Sequence, residues 1–258
     1  MNTKTLSTRA LSIIDQYIHF RVGTAVFSVP YFNNKITRTR AAMRVVAGKG
    51  SPKEIFDETQ SLLIENRMDK NTLSGESLKN ILVDKNIGID CSGFAYYVLN
   101  AESEELGRGP LDKHISFINC RGLLGKMRCS LRPVENCDVA TLADDKNSHV
   151  IPLKEVRSGD MITMIGGSEA DDREHVLVIH QVEYQNFIPI KIHYSHAIAY
   201  PEDGLYGNGV RQGSIEINEI EKTIADQKWV EEGREGEKNR LHSRAKISRT
   251  DIRRLNWL

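Results

Sequence analysis

A chain of 258 residues, 40% apolar and 27% charged, is long enough to bury a sizeable core and has the composition of an ordinary globular protein. Its 35 Lys and Arg balance its 35 Asp and Glu, so no overall field draws it toward nucleic acid or an anionic membrane. Lys4, Arg9, Asp15, His19 and Arg21 interrupt the N-terminal apolar positions, and no segment approaches the ~20 apolar residues of a membrane span. The expectation is a cytoplasmic chain with no membrane span, whose four cysteines are free thiols rather than a disulfide framework.

Leu6, Leu11, Ile14, Tyr17 and Ile18 recur at helical spacing over residues 5–20 and predict an amphipathic helix. A short apolar run from Val22 to Phe27 leads into Pro30-Tyr31-Phe32-Asn33-Asn34, a turn. Lys35, Arg38, Arg40 and Arg44 fall on a predicted helix that Gly48 and Gly50 end, its cations read as a solvated face. Ser51-Pro52-Lys53-Glu54 is a helix start: Ser51 caps, Pro52 takes the first position and Glu54 closes a capping box. Ile55/Leu62 and Phe56/Leu63 carry that helix to about Asn66, and Leu78, Ile81 and Leu82 mark another after Ser74.

Asn86-Ile87-Gly88 breaks this second helix and delivers the chain to Asp90-Cys91-Ser92-Gly93-Phe94, which opens a further one. A thiol in the first turn of a helix meets unpaired N–H groups and the positive end of the dipole, a setting that favours the thiolate. Residues 103–150 are the least regular part. Cys120, Cys129 and Cys137 fall there without the tight pairs of a zinc site, and no metal or organic cofactor is implied.

Strands dominate from Pro152: Met161–Ile165 after Gly159-Asp160, then, beyond a polar loop at 168–174, His175–Val182, and then 187–199. Residues 204–213 read as turns, 214–217 as a last short strand, and 221–258 as a charged C-terminal tail or helix. A cysteine nucleophile needs a base, and the base needs a polar group to hold its tautomer. His175, at a strand start after a loop, is the candidate base. His196, or alternatively His193, comes from the neighbouring strand, and cross-strand neighbours on one face lie ~5 Å apart. Asp90 is read as the helix cap.

Asp90-Cys91-Ser92-Gly93, Gly159-Asp160, His175-Val176 and His196-Ala197 together resemble the NlpC-type cysteine peptidases of the papain-like superfamily. Pro30-Tyr31 looks like the family's P-Y turn, and Gly209-Val210 like its closing turn, while Phe32-Asn33-Asn34 departs from its usual W-G-G. The resemblance implies an α+β, papain-like fold: a cysteine-bearing helix packed on an antiparallel β-sheet, with helical insertions. It assigns residues 1–220 to the catalytic domain, with 35–86 and 103–150 as insertions, the second a lid or cleft wall. It further implies a catalytic Cys91, His175 and His196, with Tyr31, Asp90 and Ser92 near the oxyanion or substrate. The implied activity is hydrolysis of an amide in a peptide or peptidoglycan fragment. An acyltransferase or thioesterase on the same fold, or a binding module with Cys91 as a core residue, stand as alternatives.

Overall fold

In the computed structural model of the chain, residues 2–33, 43–166, 174–231, 234–235 and 239–258 are described. The predicted helix over Lys35, Arg38 and Arg40 and the polar loop at 168–173 therefore fall outside the described residues.

The period-3.6 patterns form the helices α1 (Thr8–Ile18), α2 (Pro52–Glu65), α3 (Gly75–Asp84), α4 (Cys91–Glu105), α5 (Gly122–Leu131), α6 (Pro133–Asn136), α7 (Val139–Leu142) and α8 (Arg240–Ile247). The α2 start is as its sequence dictates: Ser51 accepts from the Glu54 N–H, and the Glu54 carboxylate accepts from the Ser51 N–H at 2.8 Å. Ser74 caps α3 in the same way, accepting from the Ser77 N–H. Asn86, in the left-handed region at φ 58°, ends α3 and turns the chain toward Cys91.

The strands are β1 (Asn2–Thr5), β2 (Phe20–Val22), β3 (Ala25–Phe27), β4 (Ser148–Val150), β5 (Met161–Ile165), β6 (His175–Gln185), β7 (Ile188–Ile198), β8 (Gly209–Glu216), β9 (Lys228–Glu231), β10 (Arg234–Glu235) and β11 (Arg249–Leu255). One antiparallel sheet runs β10-β9-β8-β7-β6-β5-β11-β4, and β2 and β3 form a separate hairpin. The long β6 is shared along one edge: its first half pairs with β5, Met164 opposite His175, and its second half with β1, Thr5 opposite Gln181. The chain is thus mixed α+β on an antiparallel sheet.

Both faces of this sheet are covered, so β6 is apolar at successive positions rather than alternately. Val176 and Val178 pack with Ala197 and Val210 against Ala10, Ile14, Phe94 and Val98 of α1 and α4. Leu177 and Ile179 face the other way, into a second core with Tyr194, Ile215, Trp229, and Leu241 and Ala245 of α8. Each such fully buried aliphatic side chain contributes about 1.5–3 kcal/mol relative to exposure. The helices of the 35–86 segment belong to the first core, through Ile55, Leu63, Leu78 and Leu82.

Three expectations are corrected here. Residues 221–258 are not a tail: β9 extends the sheet beyond β8, and β11 lies between β5 and β4. The buried Asp160 carboxylate locks β11 in place by taking the Arg254 guanidinium at 2.8 and 3.0 Å, which is the role of the Gly159-Asp160 pair. Strand β8 begins at Gly209, inside the stretch read as turns, because Val210 has a strand partner in Ala197 and donates its N–H to the Val29 carbonyl. Cys120 and Cys129 form a disulfide, leaving Cys91 and Cys137 as the free thiols. The Cys120 and Cys129 Cα atoms lie 6.4 Å apart, within disulfide reach, because the turn into α5 folds Cys120 back against the helix.

Candidate active site

Three segments converge on the start of α4. Tyr31 and Lys49 each bridge to Ile89, and the Asp90 N–H donates to the Gly48 carbonyl at 2.8 Å. Asp90 then caps the helix, its Oδ1 accepting the Gly93 N–H at 2.6 Å, as the sequence indicates. Glycine is required at 93 because a Cβ would stand 2.8 Å from Ile89 Cδ1 and 3.1 Å from the Gly48 carbonyl oxygen. Cys91 takes the first helical position.

Beneath this turn lies a cation that the sequence reading did not single out. The buried Lys49 ammonium donates to Asp90 Oδ1 at 2.9 Å, to Ser92 Oγ at 2.6 Å and to the Cys137 carbonyl at 3.2 Å. The Ser92 hydroxyl in turn donates to Asp90 Oδ1. The Ser92 side chain is therefore bound into the turn. The Cys137 contact also shows that the 103–150 segment underlies the turn. Nothing in sequence spacing separates Lys49 from the other 34 cations.

The backbone N–H of Val176, the residue after His175, is among the groups that favour the charged form of the Cys91 sulfur. This puts the thiol at the head of β6. Burial, and next the Asp90 carboxylate, push the thiol up to about 11, against the opposing pull of Lys49, the Val176 N–H and Arg244. The expected ready thiolate is thus corrected. The helix start is buried and already has an anion in its cap, so Cys91 is a neutral thiol near pH 7 in this conformation. Cys137 is pushed further, to about 12, also chiefly by burial.

Val178 pairs with Ser195, which brings Leu177 opposite His196 and makes His175 and His196 diagonal neighbours on one face. Their rings join through His175 Nε2 and His196 Nδ1 at 2.8 Å. His193 points to the other face, 2.6 Å from Glu183, so it is not the group that holds His175. His196 Nε2 lies 3.1 Å from Glu231 Oε2, which also accepts from the Tyr200 hydroxyl. Burial alone would raise the Glu231 carboxyl. The bond and charge of His196, with Arg211 and Tyr200, outweigh it and hold the group below the ordinary carboxylate range.

An ionised Glu231 only accepts, so His196 donates from Nε2. A neutral His196 then accepts at Nδ1, which makes Nε2 of His175 the donor and leaves Nδ1 of His175 as the basic nitrogen. Glu231 lies in the stretch read as a tail. The alternation Lys228-Trp229-Val230-Glu231 is the only sequence sign of the strand that carries it.

Tyr31 runs alongside the turn that opens α4, and its hydroxyl accepts from the Asn33 amide at 3.2 Å. The described residues contain no cluster of His, Cys, Asp and Glu suited to a metal ion, and no helix long and apolar enough to cross a membrane. Comparison of the chain with protein-family models, with curated proteins and with solved structures returns no match.

Proposed function

We propose that the chain is a cysteine-nucleophile amide hydrolase of papain-like architecture, acting on peptides of the peptidoglycan type. The observation that carries this reading is the ordered chain from His175 through His196 to Glu231, at the strand start whose following residue, Val176, favours the charged form of the Cys91 sulfur. A core cysteine in a binding module gives no reason for two histidines and a carboxylate to line up beside it.

In this mechanism Nδ1 of His175 removes the thiol proton as the sulfur attacks the amide carbonyl, so no preformed thiolate is needed. The positive charge then shared by His175 and His196 faces Glu231. The developing oxyanion is held by the N–H groups of Cys91 and Ser92, donors of the first turn that the Asp90 cap does not use, with the Tyr31 hydroxyl as a further donor. His175 returns the proton to the leaving amine. The Cys91 thioester is then hydrolysed by a water that His175 deprotonates.

The substrate class rests on the resemblance of the D-C-S-G and H-V elements to NlpC-type cysteine peptidases, not on the geometry. The test is hydrolysis of soluble peptidoglycan peptides containing D-amino-acid or isopeptide links, with acyl thioesters assayed in parallel. Amine release by the wild type and none by Cys91→Ala supports the hydrolase. Turnover of thioesters alone assigns the same site to acyl transfer.

A further inference from the structure

Helix α5 is not packed like the others. Leu123 is 85% exposed, Leu124 77%, Met127 57% and Leu131 70%, and Cys129 is the helix's one buried residue. At about 100° per residue these four apolar side chains fall within an arc of about 100°, and Cys129 lies on the opposite side. The apolar stripe therefore points directly away from the body, and the Cys120–Cys129 disulfide ties the helix to the turn that leads into it.

The charge around the stripe is one-sided. From Lys113 to Val134 there is no Asp or Glu. On the same helical wheel Lys126 flanks the stripe on one side and Arg128 on the other, with Arg121 just before the helix, and none of the three forms an ion pair with a described carboxylate. A protein partner would answer this surface with matched pockets. An exposed apolar stripe flanked on both sides by a cation is the pattern of a helix lying in a lipid interface, its leucines below the headgroups and its cations among their phosphates. The chain's zero net charge conceals this local field.

We propose that α5 docks the protein on the surface of an anionic bilayer. Docking would hold the α4 start at the membrane, because the segment that follows α5 runs to Cys137, whose carbonyl takes the Lys49 ammonium. The inference is independent of the reading of Cys91.

The experiment is co-sedimentation of the full chain with vesicles of one part phosphatidylglycerol to two parts phosphatidylcholine, and with phosphatidylcholine alone. The wild type is expected to pellet with the first far more than with the second, and less as salt is raised. Leu123→Ser/Leu124→Ser should weaken binding by at least about tenfold, and Lys126→Glu/Arg128→Glu by a similar factor. The charge-reversal pair alters only exposed residues and serves if the serine pair does not fold. Equal binding to both vesicles, or none to either, overturns the proposal. So does light scattering that shows a wild-type dimer, abolished by Leu124→Ser, without vesicle binding, which would make a second copy the occupant.

Discussion

His196 Nε2 lies 3.1 Å from Glu231 Oε2, and the two side chains are 0% and 1% exposed. This pairing joins a strand in the middle of the sheet to one that the sequence presents as part of a charged tail. Its effect is to set the tautomer of His196 and, through it, that of His175. Replacing Glu231 by Gln keeps the shape and removes the charge. The expected result is a fall in kcat of about 10²–10⁴ with little change in KM. The acidic limb of kcat/KM should also move to lower pH, since the charged imidazole loses its carboxylate. A loss of activity that merely tracks lost stability, with an unmoved pH profile, would assign Glu231 a structural part only.

The same carboxylate makes folding sensitive to acid. Its folded-state value is depressed below the ordinary 4.5, so its contribution is complete above 4.5 and is lost as the pH falls through the lower folded value. Thermal unfolding followed from pH 7 to pH 3 should show the wild type losing stability more steeply below about pH 4.5 than Glu231→Gln. Parallel curves would mean that the pairing carries no net charge effect.

Lys49 is the counter-ion of a buried turn. Lys49→Met leaves Asp90 without its cation and is expected to cost about 3–5 kcal/mol in denaturant unfolding, because one charge of a buried pair is left uncompensated. Adding Asp90→Asn should restore part of that loss. If the double variant is no better than the single, packing of the lysine stem rather than charge explains the effect.

Thiol chemistry separates Cys91 from its neighbours. Cys120 and Cys129 are tied together, so iodoacetamide has two candidates, and burial holds both as neutral thiols. Labelling of Cys91 should rise with pH toward its value of about 11, and Cys137 should lag behind it. A labelling rate for Cys91 that is already flat below pH 8 would contradict general-base activation and reveal a standing thiolate–imidazolium pair.

Much of the frame was legible in sequence because it is written in local patterns. Ser51, Pro52 and Glu54 start a helix through contacts within four residues. Asp90 and Gly93 do the same for α4, and His175 and His196 mark strands at readable spacing. The site residues that sequence leaves out are long-range. Lys49 reaches Asp90 across 41 positions, and Glu231 reaches His196 across 35, so neither has a local signature. The 221–258 segment was misread because Arg253 and Arg254, which look solvated, are held by Ser148 and Asp160. Burial misled the reading of Cys91 as well, since a helix start favours a thiolate only where water or a cation can share the charge.

The most direct measurement is intact-protein mass spectrometry of acid-quenched reactions with a soluble peptidoglycan peptide, followed by peptide mapping. The wild type is expected to carry the acyl half of the substrate on Cys91, with the adduct absent from Cys91→Ala. In Glu231→Gln the adduct should form more slowly. Hydrolysis that persists undiminished in Cys91→Ala, or an adduct on any residue other than Cys91, would contradict the assignment of Cys91 as the nucleophile.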